Sequence, residues 1–154
     1  MEHDRFLDFI PLKDDEKCEV RSKGDSWDII EIDIPSAYES MEVIQIGEKG
    51  FEGCANLALA ILPKTLRKIN DRAFLNCKAL ESIVILPGIT VVEKYLFDNC
   101  VKLKDVSIPD TVREVNSIAF MRCVSMKVVK IPSRAYVIHN ESFFYYVPEF
   151  ESIK

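Results

Sequence analysis

Four of the five cysteines in this 154-residue sequence recur at one fixed interval, and they are the residues best suited to chemistry. Thiols can form disulfides, bind a metal ion or act as catalytic nucleophiles. Metal sites usually place two cysteines close together, as in C-x-x-C, and the sequence contains no such pair. Equal spacing points the side chains the same way, which favours a column of small buried groups over these alternatives. The column comprises Cys54, Cys77, Cys100 and Cys123.

The two histidines are the candidate bases that a nucleophilic cysteine would need. His3 lies near the N-terminus. His139 occupies the same position in its repeat as Asn70 and Asn116 do in theirs, and this position is typical of a solvated side chain. The sequence also lacks H-E-x-x-H, G-x-S-x-G and glycine-rich phosphate-binding strings. We therefore predict a non-catalytic protein that holds no metal ion and no cofactor.

The cysteines belong to a 23-residue repeat that must set their positions. Phenylalanine keeps the same interval three residues ahead of each cysteine, and leucine or methionine follows three residues behind it. Each unit continues into an apolar strand signal that ends at or near proline, as in LESIVILP, and an apolar pair such as Leu66 and Ile69 precedes each phenylalanine. This period predicts a repeat solenoid, mainly β, that buries these columns. The phenylalanines are Phe51, Phe74, Phe97, Phe120 and Phe143.

The proline turn, the V-x-x-I segment and the A-F-x-x-C segment, as in IPDTVREVNSIAFMRC, together resemble the BspA-type leucine-rich repeat family over residues 29–153. A generic leucine-rich repeat continues with Asn or Cys beyond the strand, whereas this sequence turns at prolines such as Pro63 and Pro109. The resemblance implies a right-handed leucine-rich repeat stack of about five coils with short helical turns near the A-F-x-x-C segments. It also implies roles in protein binding and adhesion, often at bacterial or protist surfaces.

The sequence before the regular repeats predicts an N-terminal cap over residues 1–28, followed by the solenoid over residues 29–154. CEVRSKGDSWDIIEI indicates two extended segments around a turn at residues 23–26, a β-hairpin that could cover the apolar end of the first coil. The interval from Pro35 to Phe51 exceeds the interval from Pro63 to Phe74 by about five residues, so the first coil carries an insertion of that length.

The C-terminal end of the sequence has a different character. Residues 150–153 (FESI) align with residues 80–83 (LESI), which predicts a solenoid that ends mid-strand. Stacked repeats need a capped end to avoid pairing at the open edge. We therefore expect either an end-on homodimer through the uncapped C-terminal coil or a continuation beyond residue 154. The aromatic residues gathered at this end are Phe143, Phe144, Tyr145, Tyr146 and Phe150.

Charge and hydropathy exclude two classes of partner. The formal net charge is -5, and no lysine- and arginine-rich cluster is present of the kind that binds nucleic acid. The longest stretch dominated by apolar residues, 57–62, is far shorter than the ~20 residues that cross a bilayer, so no membrane insertion is expected. The N-terminus has no secretory signal, which predicts a cytoplasmic location, or an extracellular or cell-surface one if the sequence is trimmed from a longer protein.

The exposed positions of the L-x-x-I-x-I strands form the predicted functional surface, with one rung of side chains per coil. From the first rung to the last, its character runs from acidic through apolar and mixed to basic. We predict a non-catalytic protein–protein interaction module that binds a partner of unknown identity through this surface; the alternatives are a surface adhesin fragment that recognises a host protein or glycan, and more remotely a thiol enzyme. The predicted partner-binding residues are Leu59, Ile61, Glu81, Ser82, Val84, Lys104, Asp105, Ser107, Lys127 and Lys130.

Overall fold

The computed structural model describes residues 5–13, 16–24, 28–139, 146 and 148–153. These residues form a β-solenoid of about six turns with almost no helix, which confirms the predicted fold class and adds one turn to the expected five. The strands are β1 (Leu7–Pro11), β2 (Lys17–Ser22), β3 (Glu31–Asp33), β4 (Ala37–Tyr38), β5 (Met41–Ile46), β6 (Leu59–Ile61), β7 (Lys68–Ile69), β8 (Ser82–Val84), β9 (Val91–Val92), β10 (Asp105–Ser107), β11 (Glu114–Asn116), β12 (Val128–Pro132), β13 (Tyr136–Ile138) and β14 (Glu149–Ile153).

One side of the solenoid is built from short inner strands, which come from the L-x-x-I-x-I segments. They pair in parallel as β3–β6, β8–β10 and β12–β14. In the first four of these strands the central residue is buried and its two neighbours are exposed, as alternation along a strand requires. Ile83 lies opposite Val106, one 23-residue repeat later, so the period of the sequence is the register of the strands.

The apolar pairs ahead of each phenylalanine form the outer side of the coils. β5 pairs in parallel with β7, and β9, β11 and β13 form a second parallel sheet. Val92 and Val115 lie opposite one another in this sheet and are fully buried. Thr111, which begins the outer arc after Pro109, donates its hydroxyl to the carbonyl of Ile89 at 2.8 Å and so ties one coil to the next.

A continuous stack of phenylalanine rings fills the space between the two sides. Phe51, Phe74, Phe97 and Phe120 are fully buried, and their ring centroids are successively 5.4, 5.8 and 5.6 Å apart. Rings at this separation attract one another beyond the effect of apolar burial alone. The stack confirms four members of the predicted phenylalanine column; Phe143 lies outside the described residues.

The expected helical turns are present mostly as hydrogen-bonded turns, with a short 3₁₀ segment at Ser117–Phe120. Within these turns, the residue immediately before each cysteine of the column has a left-handed backbone, a conformation that glycine and asparagine tolerate best. Asn99 also donates its side-chain amide to Asn76 Oδ1 of the preceding coil at 2.7 Å. The left-handed residues are Gly53, Asn76, Asn99 and Arg122, with φ of 78°, 64°, 61° and 60°.

An N-terminal hairpin is present, but β1 and β2 form it, and the prediction that the two extended segments on either side of residues 23–26 pair with each other is wrong. β2 pairs antiparallel with β1, which precedes it, and in parallel with β5. The strand that follows residues 23–26, β3, pairs instead with β6. The reason is burial: Cys18 and Val20 of β2 are fully buried as an extension of the outer side, whereas Ile32 of β3 is buried on the inner side. The division into a cap over 1–28 and a solenoid over 29–154 stays a prediction.

The five-residue insertion of the first coil is confirmed by the strand register. Ile32 lies opposite Ala60, 28 residues later, where the regular spacing is 23. The longer segment of this coil contains the two-residue strand β4, which folds back antiparallel on β5. The ring of Tyr38 in β4 stacks on Phe9 of the hairpin, with centroids 4.1 Å apart.

The register predicted for the last strand is wrong by three residues. Alignment with residues 80–83 placed Phe150 at the position of Leu80, but β14 pairs with β12 so that Phe150 lies opposite Val129, the counterpart of Ile83. This register packs the Phe150 ring edge-on against Phe120, with centroids 6.1 Å apart, and continues the aromatic stack. Residues 143–145 of the predicted aromatic cluster lie outside the described residues.

Candidate interaction surface

The cysteine column is a set of structural hydrogen-bond donors. All five cysteines are buried, and none is joined in a disulfide. The thiol of Cys77 donates to the carbonyl of Phe51 in the preceding coil at 3.2 Å, and Cys100 donates to Phe74 in the same way at 3.2 Å. Cys123 donates to the carbonyl of Phe97 at 3.1 Å. The predicted role as buried structural thiols is therefore confirmed, with an inter-coil hydrogen bond that spacing alone did not indicate.

The environment of these thiols opposes nucleophilic chemistry. Burial raises the pKa of Cys77 and of Cys100 well above the ordinary value, and it raises the pKa of Cys123 to about 12. Because the thiolate is the nucleophile and the metal ligand, such groups are chemically inert near neutral pH. His139 is exposed and lies edge-on to the Phe150 ring, and His3 lies outside the described residues. Among the described residues, no group of three His, Cys, Asp or Glu side chains could hold a metal ion.

The buried carboxylate of Asp98 is likewise a structural group. Arg122 in the next coil forms a bidentate ion pair with it, in which Nε donates to Oδ1 at 2.9 Å and Nη2 donates to Oδ2 at 2.6 Å. Paired hydrogen bonds of this geometry are among the strongest that side chains form. The ion pair therefore fastens two coils together and offers no vacant acid or base.

The inner strands place all ten predicted partner-binding residues on one surface, and all ten side chains are exposed. We call this surface the strand face and number its rungs from β3 to β14. Rung 1 carries the exposed residues Ile30, Glu31 and Asp33. The register sets Glu31 and Asp33 directly beside Leu59 and Ile61 of rung 2. Rungs 3 and 4 are paired in the same way through β8 and β10. Whether the strand face binds a partner stays a prediction.

An apolar patch occupies rungs 2 and 3 of the strand face. Leu59, Ile61 and Val84 are 39%, 50% and 55% exposed and surround a depression of about 170 Å³. The depression has a backbone cause, because β6 pairs with β3 and β8 pairs with β10, so that neighbouring β6 and β8 belong to different sheets. A break between two sheets cannot be recognised from the pattern of side chains, and the sequence predicted the patch without the depression.

Charged residues border the patch on the later rungs. Lys104 Nζ of rung 4 lies 3.2 Å from Glu81 Oε2 of rung 3, and both side chains are more than half exposed. Lys127 and Lys130 of rung 5 are exposed on and beside β12. The predicted order of rungs from acidic through apolar and mixed to basic therefore describes the first five rungs.

A sixth rung extends the strand face beyond the predicted five. Glu149 and Glu151 of β14 are exposed and lie opposite Val128 and Lys130 in the register. The face is therefore acidic at both ends, with the basic rung next to its C-terminal acidic end. Phe150 is partly buried between the exposed residues Glu149 and Glu151, close to the alternation of the earlier strands. The polar–apolar–polar alternation of these three residues is the sequence signal that would have identified this rung.

Comparison with protein families finds one match that spans most of the chain. The family described as the BspA type leucine-rich repeat region matches residues 25–148 in six copies. None of the curated proteins with which the sequence was compared matches it. Within the described residues, no helix is long and apolar enough to cross a membrane.

Three crystal structures of bacterial leucine-rich repeat proteins are similar to this chain. A protein of T. pallidum is 26% identical with a TM-score of 0.68, and the match covers 82% of this chain and 69% of the other. A protein of Bacteroides ovatus is 26% identical with a TM-score of 0.77, covering 90% and 37%. A leucine-rich cell surface protein of Faecalibacterium prausnitzii is 18% identical with a TM-score of 0.52, covering 89% and 50%, and shows the fold alone. This chain therefore spans half or less of the length of the last two.

Proposed function

Because the chain belongs to the BspA-type leucine-rich repeat family, we propose that it is a non-catalytic interaction module whose strand face binds a partner protein. Leucine-rich repeats generally serve as protein-interaction scaffolds, and the proteins that carry them are generally non-enzymatic. The observation that carries the proposal is the apolar patch, in which Leu59, Ile61 and Val84 are exposed side by side around one depression. Contiguous exposed apolar surface of this kind marks contact sites.

The surroundings of the patch support the same proposal. Protein interfaces combine an apolar, desolvated centre with a polar rim, and charged rim residues set the rate of association more than the affinity. The strand face has this arrangement, with the apolar patch on rungs 2 and 3, the exposed Lys104–Glu81 pair beside it and the basic residues Lys127 and Lys130 farther along. A partner that covers rungs 2 to 5 would bury all of these groups together.

Affinity capture from a lysate of the source cells tests the proposal. The wild-type protein is compared with the variant Leu59→Glu, Lys127→Glu, Lys130→Glu, and captured proteins are identified by mass spectrometry. The matched control, Val124→Glu, Lys68→Glu, Lys94→Glu, makes the same changes at exposed positions away from the strand face.

We expect a partner that the wild type and the control retain and that the strand-face variant loses. Thermal denaturation of all three proteins is the folding check, because exposed charges contribute little to stability. Equal capture by the two variants would refute the strand face as the binding surface. Retention of defined glycans on an array, with no protein captured, would replace the proposal with the surface-adhesin alternative. The end-on homodimer stays a prediction, and light scattering tests it by measuring the molar mass of the protein in solution.

A further inference from the structure

The strand face also indicates what kind of segment it accepts. We infer, on the premise of the proposed function, that the apolar patch and rung 1 together bind an extended protein segment in which a lysine or arginine lies two residues from a large apolar side chain. Three features of the described residues favour such a segment: the size of the depression, the charge beside it and the spacing of the strands.

The depression is large enough for one apolar side chain. Its volume is about 170 Å³, and its lining includes Leu59, Ile61, Val84 and Leu86. An apolar cavity of about 150 Å³ binds benzene, so a leucine side chain or a phenyl ring fits this space. The break between β6 and β8 opens it to solvent along the strand face, and a side chain can therefore enter from a segment that lies across the strands.

The neighbouring charge on the N-terminal side of the depression is negative. Glu31 and Asp33 are exposed on β3, and the register places them directly beside Leu59 and Ile61. On the other side of the depression, Glu81 is paired with Lys104, which largely balances its charge. A segment anchored in the depression therefore meets an acidic rung on one side and a balanced pair on the other, and a cation facing rung 1 is favoured.

The spacing of the strands fixes the distance between the two groups of the ligand. Rungs 1 and 2 are hydrogen-bonded neighbours roughly 4.8 Å apart, and the depression begins beyond rung 2, so its centre is about 7 Å or slightly more from rung 1. An extended chain rises about 3.3 Å per residue, and 7 Å corresponds to about two residues. Residues i and i+2 of an extended chain point to the same side, so the apolar and basic side chains can both face the surface.

Selection from a displayed library of random peptides of about a dozen residues tests this inference. The library is selected on the wild-type protein, on Glu31→Lys, Asp33→Lys and on Leu59→Glu. The matched control, Glu42→Lys, Glu48→Lys, makes the same change of charge at exposed residues of the outer side. Peptides enriched on the wild type are then synthesised with a fluorescent label, and their affinities for all four proteins are measured. Circular dichroism melts confirm that the variants are folded.

We expect the enriched peptides to share lysine or arginine two positions from leucine, isoleucine, phenylalanine or methionine. On Glu31→Lys, Asp33→Lys their affinity falls by about tenfold or more, because the reversal sets like charges against each other, and on the control their affinity is unchanged. Peptides that need Leu59 but show no basic residue at this spacing would overturn the inference and leave the proposed function intact. Peptides that bind equally to Leu59→Glu would count against both. A library without any enrichment refutes the extended segment, and the capture experiment then decides the proposed function separately.

Discussion

Removing one ring from the middle of the phenylalanine stack tests the architecture most directly. Phe97 is fully buried, and its ring centroid is 5.8 Å from that of Phe74 and 5.6 Å from that of Phe120. Replacing a buried phenylalanine with alanine costs about 3 to 5 kcal/mol, because it loses apolar burial and leaves a cavity. In a solenoid this loss weakens the contacts with both neighbouring coils, so Phe97→Ala lowers the stability of the whole array.

The assay is urea denaturation followed by far-ultraviolet circular dichroism, with the free energy of unfolding as the readout. The matched control is Phe150→Ala at the end of the stack, where the ring is partly buried and has one phenylalanine neighbour at 6.1 Å. Burying a whole phenylalanine stabilises by about 1.5 to 3 kcal/mol, so we expect the control to lose about half of that. A Phe97→Ala protein as stable as the wild type, or more stable than the control, would refute the stacked register.

Three further predictions concern groups that join neighbouring coils. Cys100→Ala removes the thiol donor to the Phe74 carbonyl without adding volume to the core, and urea denaturation should show a loss of about 1 to 2 kcal/mol. Arg122→Ala leaves the Asp98 carboxylate buried without its ion pair and should lower the free energy of unfolding by about 3 kcal/mol or more. In a double-mutant cycle with Asp98→Ala, the two losses of stability should not add. Additive losses would contradict the coupling between the two side chains. Burial raises the pKa of Cys123 from 9.0 to about 12, so between these pH values the thiol is ionised in the unfolded chain and protonated in the folded one. The free energy of unfolding should therefore fall as pH rises from 9 towards 12, and it should fall less steeply in Cys123→Val.

The interior of the solenoid could be predicted from the sequence because stacking demands equal coils. Phe97, Cys100 and Leu103 repeat the positions of their counterparts one coil earlier, and an identical backbone turn carries each set into the core. The hydrogen bond from Cys100 to the Phe74 carbonyl could not be predicted, because it depends on how far one coil is offset from the next. Side-chain spacing specifies which residues share a column, but it does not specify which backbone groups the column satisfies.

The departures from prediction occur where the period of 23 is broken. Val129 and Phe150 are paired although they are 21 residues apart, because this register lets the Phe150 ring pack on Phe120. At the other end, Cys18 and Val20 are buried on the outer side, which draws β2 away from the predicted hairpin partner. In both places packing of a few large or fully buried side chains determines the pairing, and the repeat pattern no longer limits the choice.

The strand face differs from the core in the way its residues are constrained, and this difference decides how its function can be tested. Ile83 and Val106 are held by the stack, so substituting them changes the fold and any binding together. Lys127 and Lys130 are exposed on or beside one inner strand, and exposed charges contribute little to folding. Specificity in a repeat protein therefore resides in residues that the fold leaves unconstrained. A change of binding without a change of stability is accordingly the signature that a substitution has reached the interaction surface.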